Sequence, residues 1–126
     1  MRRLIAIAAL FALTPLAGAA QAKPPPSDRA CFHASNVSGF RAPDDKTVYV
    51  RVGVRDVYQM QMMGSCPQID WAERIGIRTQ GSEWICSGLD ADLISPSSIG
   101  PHRCPVRMMR KLTPAEVAAL PAKSRP

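Results

Sequence analysis

The sequence predicts a mainly β fold: a small antiparallel barrel or sandwich of five or six strands with one short C-terminal helix. Three observations point there. Several short runs alternate apolar and polar residues with a period of two. Clusters of Gly, Pro, Asp and Ser separate them at close intervals. The one clear helix-start signature lies near the end of the chain. There is no internal repeat and no strand–helix–strand alternation.

Taken in order, the chain opens with an address. Arg2 and Arg3 precede an apolar run, Leu4 to Leu13, which is too short to span a bilayer as a helix. Ala20-Gln21-Ala22 then matches the small-x-small pattern of a cleaved signal peptide, residues 1–22. Cleavage there leaves 104 of 126 residues, with 14 basic and 10 acidic side chains and a net charge of +4. No later segment is apolar enough to cross a membrane. A periplasmic or secreted protein is expected. The mild charge permits an anionic partner without demanding one, and it gives no reason to expect nucleic acid.

Residues 23–28, Lys-Pro-Pro-Pro-Ser-Asp, read as a proline-rich spacer. A single domain is expected over 29–121, with a disordered tail at 122–126. Its first strand falls between Cys31 and about Phe40. Thr47 to Val52 and Val57 to Met62 then alternate strictly around the reversal Gly53 to Asp56, which predicts a hairpin. Val48, Val50 and Val52 share one face, as do Tyr58, Met60 and Met62. Arg74 to Thr79 resumes the alternation with Ile75 and Ile77 inward. Gln80 to Glu83 is a turn, and Trp84 to Cys86 a return strand, with Trp84 and Cys86 on one face and Asp90 and Asp92 at its exit. Ser95 to Pro105 reads as a loop, and Val106 to Arg110 as the last strand.

The helix follows. Thr113 is placed to cap it, Pro114 fits the first helical position, and Glu116 completes a capping box. Pro121 ends it after about two turns, too short to stand alone. Leu112, Val117 and Leu120 must therefore dock on the sheet.

Four cysteines, Cys31, Cys66, Cys86 and Cys104, follow the leader. An even number in a short exported chain implies disulfides. An up-and-down strand map puts Cys66 and Cys104 at one end and Cys31 and Cys86 at the other. The expected pairs are therefore Cys66–Cys104 and Cys31–Cys86. A competing reading joins Cys31-x-His33 to His102-x-Cys104 as a Cys2His2 zinc site. Met60 to Met63 with Met108 and Met109 would offer thioethers to Cu(I), although Met60 and Met62 fall on the core face. Asp90 and Asp92 lack the glycine and distal glutamate of a calcium loop. Asn36-Val37-Ser38 is a glycosylation sequon only in a host that uses it.

No Ser-His-Asp set, phosphate-binding glycine loop or carboxylate pair can be read from the spacing, so no enzyme and no cofactor is expected. Arg51, Arg74, Arg78, Arg107 and Arg110 lie outward on or beside expected strands. Together they would form a basic face for an anionic envelope component or an acidic protein.

The segments Cys31-Phe32, Asp44 to Val50, Ser65-Cys66-Pro67, Trp84 to Ala91, Arg103 to Val106 and Arg110 to Leu120 resemble a family of short exported bacterial proteins known only as a domain of unknown function. The resemblance spans nearly all of the domain and implies a four-cysteine framework. The family pattern includes neither histidine, which counts against the Cys2His2 set, and it carries no activity to transfer. The reading that results is a non-enzymatic binding or cell-envelope domain, with periplasmic metal handling as the alternative.

Overall fold

The computed structural model describes residues 30–126. The leader at 1–22, the spacer at 23–28 and the expected domain start at Arg29 lie outside the described residues. Eight strands form two antiparallel sheets among these residues. β1 (Phe32–His33) pairs with β6 (Trp84–Ile85). The other six run in the order β2 (Val37–Arg41), β3 (Thr47–Val52), β4 (Asp56–Met62), β8 (His102–Lys111), β7 (Ala91–Ser95) and β5 (Gly76–Thr79), curled into a half-barrel.

The alternation seen in sequence decides the register. Val48 pairs with Met60 and Val50 with Tyr58. All four are buried, and with Val106, Leu93 and Ile69 they fill the concave side. Burial of this kind stabilises by roughly 1.5–3 kcal/mol per large side chain. On the convex side Arg41, Tyr49, Gln59 and Arg110 form one cross-strand row.

β8 is the spine. Its first half, His102 to Pro105, pairs with β7, and its second half, from Val106, pairs with β4. Pro105 sits where the partner changes. A bulge follows, because Met62 faces Val106 while Gln61 faces Met108. Bulges bend strands and increase twist, which curls the sheet here. The turn Gly88–Asp90 packs on this bulge. A Cβ on Gly88 would lie 2.6 Å from the Met108 nitrogen, so only glycine fits.

Several expectations are corrected. The first strand is two, β1 and β2, broken by a 3-10 turn at Ala34–Asn36. The return strand at Trp84 pairs with β1, while β5 pairs with β7, a strand the sequence reading placed at an exit or in a loop. His102 to Pro105 belongs to β8. Asp92 lies mid-strand, 3% exposed, because Arg103 Nε donates to its carboxylate at 2.6 Å and Gln80 at 2.9 Å. Asp90 caps instead of ending a strand: it accepts from the Cys86 and Ser87 amides at 2.9 and 2.7 Å. Those bonds, Cys86 first, hold its carboxyl below the usual carboxylate range. Trp84 is more than half exposed and stands edge-on to His33.

The helix α1 (Pro114–Ala119) has the expected capping box, with Thr113 and Glu116 bonding each other's backbone amides. Leu112 is buried, whereas Val117 and Leu120 are only half-buried. In place of the disordered tail expected at 122–126, the chain makes a 3-10 turn at Ala122–Ser124. Ser124 is buried, and Arg125 donates to the Leu120 and Ala118 carbonyls.

Candidate functional site

The half-barrel does not close. β2 and β5 are its edges, and among the described residues no backbone hydrogen bond joins them. Between them runs a cleft of about 540 Å³, lined on one side by Ala34 to Phe40 and on the other by Glu73, Arg74, Ile75 and Ile77. Most of the half-buried apolar residues that fringe the core lie along this opening: Ala34, Val37 and Phe40 on one edge, Ile75 and Ile77 on the other. The core thus reaches the surface at the seam.

At one end of the seam stands Trp71, 84% exposed. Flexibility does not explain that exposure, because the segment before it is fixed at several points. Cys66 is fully buried and joined to Cys104. Its amide donates to the Asp45 carbonyl at 2.7 Å, and Ser65 bonds the Asp45 carboxylate. Ser95 Oγ donates to the Pro67 carbonyl at 3.0 Å. Ile69 is fully buried one turn ahead of the indole. Gln68 takes the left-handed conformation, φ 62°, unusual for a residue with a Cβ and costing about 1–3 kcal/mol. A strained, stapled turn therefore holds a large apolar ring in water.

Clefts flank Trp71 on both sides. One, about 610 Å³, is lined by Gln68, Glu73, Arg74, Pro96 and Ser97. The other, about 580 Å³, is lined by Phe40, Arg41, Pro43, Asp70 and Lys123. They share Trp71 and Ala72 with each other, and each shares residues with the seam. The result is one continuous groove with an apolar floor and a rim carrying Arg41, Arg74 and Lys123 against Asp70 and Glu73. Among the described residues none of these five enters an ion pair.

The five arginines expected to form one face are divided. Arg51 and Arg110 lie on β3 and β8 of the β2–β3–β4–β8 half. Arg110 is neutralised by Glu116 at 2.8 Å. Arg107 lies at the β8 bulge, Arg78 sits on β5 opposite Asp92 in strand register with no ion pair between them, and Arg74 lines the groove. Of the five, only Arg74 belongs to the groove. Arg41, Lys123 and Trp71 were missed. The signal available in the sequence was a tryptophan four residues after Ser65-Cys66-Pro67, next to Asp70 and outside every alternating run.

The cysteines pair as Cys31–Cys86 and Cys66–Cys104. The proposed Cys2His2 set is therefore not assembled, since its two cysteines belong to different disulfides. Met60 and Met62 are core, Met109 is half-buried beside it, and Met63 and Met108 are exposed. The described residues contain no group of three or more His, Cys, Asp or Glu placed to hold a metal.

One chain of polar groups has the order of a nucleophile, a base and an acid. With the proton on Nε2, His33 accepts from Ser35 Oγ at 2.7 Å and donates to Glu83 at 2.8 Å. The chain is local capping: His33 is the N-cap of the 3-10 turn, and its ring also faces the Ser35 amide. Glu83 is 73% exposed, so its field is screened. The amides of Ser35 and Val37 are directed at the His33 ring and the Ala34 carbonyl, away from any oxyanion beside Ser35. A further concavity, about 750 Å³, lies beside α1 over Leu112 and Val117. Two of its three cations are engaged, Lys111 with Asp56 at 2.9 Å and Arg125 with the helix carbonyls, while Arg55 enters no ion pair among the described residues.

The model of a family described as "Family of unknown function (DUF6491)" matches residues 1–126. No curated protein and no solved structure matches the chain.

Proposed function

The chain belongs to this family of unknown function (DUF6491), and with no activity to inherit from it we propose that it is a non-enzymatic binding domain of the cell envelope, periplasmic or secreted, which holds an anionic partner in the groove along its open seam. The observation that carries the reading is Trp71, an indole 84% exposed on a turn that is stapled and strained to keep it there. Contact surfaces concentrate their energy in such aromatic anchors. Three cations on the rim, Arg41, Arg74 and Lys123, outnumber its two acids, Asp70 and Glu73, which supports an anionic partner.

Export is supported by the leader-like residues 1–22 and by the two disulfides. No helix among the described residues is long and apolar enough to cross a membrane. The test is site-specific photo-crosslinking in the producing cell, with a benzoylphenylalanine in place of Trp71 or of Val54, an exposed residue in the β3–β4 turn. Adducts from position 71 that weaken as salt rises, with none from position 54, support the reading. Equal adducts from both positions, or none from 71, sink it. The non-enzymatic part has its own check: a fluorophosphonate should leave Ser35 unlabelled, and stoichiometric labelling there would make the Ser35–His33–Glu83 chain catalytic.

A further inference from the structure

Resting on the reading of the seam as the contact surface, we propose that its partner is an extended peptide segment, which binds as an added strand between β2 and β5 with acidic side chains toward Arg41, Arg74 and Lys123.

A glycan or a lipid headgroup would need polar donors and acceptors on side chains, or a single cationic pocket. The groove carries such side chains on its rim, and the seam adds two strand edges that pair with an extended peptide backbone. Its two walls are the edges of one sheet, residues 37–41 on one side and the lead-in and start of β5 on the other. Past the bulge at Val37–Gly39, β2 makes no backbone–backbone hydrogen bond outside the β2–β3 ladder, its Phe40 carbonyl accepting from the Arg41 guanidinium at 3.1 Å, and Gly76 to Thr79 make none outside β5–β7. In an antiparallel ladder alternate N–H and C=O groups point away from the partner strand, so both walls present such groups to the cleft. Unpaired edges are templates for another strand.

Length and side chains agree. β2 is five residues long, which spans about 17 Å and sets an occupant of four to six residues. Every second side chain of an added strand would face the half-barrel, where Phe40, Ile75 and Ile77 leave the core half open. Gly39 carries no side chain, and the neighbouring Arg51 guanidinium covers that face of β2, 3.1 Å from where a Cβ would lie. Trp71 and the rim cations then receive one end of the peptide.

The test is selection of random heptapeptides displayed on phage against the oxidised, full-length mature protein. The enriched peptides are then synthesised and their binding followed by amide NMR. Alternating apolar and acidic peptides are expected, with shift changes and slowed amide exchange at 38–40 and 74–77. Methylating alternate peptide nitrogens should weaken binding at least tenfold, and Trp71→Ala about 30-fold, the loss of one strong anchor. If no peptide is enriched, or if the footprint falls away from the seam, strand addition is wrong. If N-methylated peptides bind the seam equally well, strand addition is again wrong, yet the seam stands as a contact surface. Silence from both this selection and position-71 crosslinking removes the seam reading itself.

Discussion

Removing the two disulfides one at a time should separate a staple that only closes the chain from one that also builds the site. Cys31 and Cys86 are 55 residues apart, Cys66 and Cys104 are 38. Loop-closure entropy assigns the first about 4.2 kcal/mol and the second about 3.9 kcal/mol. Chain entropy alone therefore makes the longer loop the more valuable one. Burial reverses the order. Cys66 and Cys104 are 0% and 3% exposed, whereas Cys86 is exposed and Cys31 half-buried. Replacing the buried pair with alanine also withdraws two methylene-sized groups from the core and leaves a void, for about 2 kcal/mol more. The expected losses are about 4 kcal/mol for Cys31→Ala with Cys86→Ala and about 6 kcal/mol for Cys66→Ala with Cys104→Ala. The larger loss rivals the whole stability of a small domain, about 5–15 kcal/mol. Urea unfolding followed by far-ultraviolet circular dichroism measures both. The entropic and burial terms are refuted if the exposed pair proves the costlier, or if either loss is below about 1 kcal/mol, under the roughly 2–5 kcal/mol typical of removing a native staple.

Other expectations follow from single contacts. Gly88→Ala forces a Cβ to within 2.6 Å of the Met108 nitrogen and should cost about 1–3 kcal/mol in a thermal melt, with no change expected only if β8 yields freely. Arg103→Met leaves the buried Asp92 carboxylate with Gln80 alone and should cost about 2–3 kcal/mol at neutral pH, read from a denaturant midpoint. Met60→Ala empties the centre of the core and should cost about 2–5 kcal/mol on the same assay. Asp90 has a depressed carboxyl, so its contribution is complete above the ordinary value of 3.8 and is lost as pH falls through the folded one. Asp90→Asn should therefore be destabilised relative to the parent at pH 6, and the gap should shrink toward pH 2.

Much of the scaffold was legible because its strands face water on one side. Val48, Val50 and Val52 against Tyr58, Met60 and Met62 gave the central hairpin, its inward face and more than a third of the buried apolar residues. Thr113-Pro114 with Glu116 gave the helix start. β7 was not legible for a physical reason. Ala91, Asp92 and Leu93 are buried in succession, so no alternation marks them. A lone aspartate resembles a loop residue until Arg103 is seen to neutralise it from the next strand. The pairing of β6 with β1 is equally non-local, held by Cys31–Cys86 across 55 residues. The site was the least legible part. A groove between β2 and β5, the two edge strands of one sheet, exists only once the sheet curls, and no local pattern marks the β8 bulge that helps curl it. Outward arginines signalled a basic surface, but the same alternation could not say which of them share a wall.

A partner can occupy the seam only if β2 and β5 stand apart in the resting protein. Residue-resolved amide hydrogen exchange on the free, oxidised chain tests that directly. β3 and β4, paired on both sides, should be protected to the limit of global unfolding. Along Ser38 to Arg41 and Gly76 to Thr79, alternate amides should exchange fast, since they face the cleft and have no partner. Uniform protection of both edges, equal to that of β4, would mean that β2 and β5 close on each other and that there is no seam to occupy.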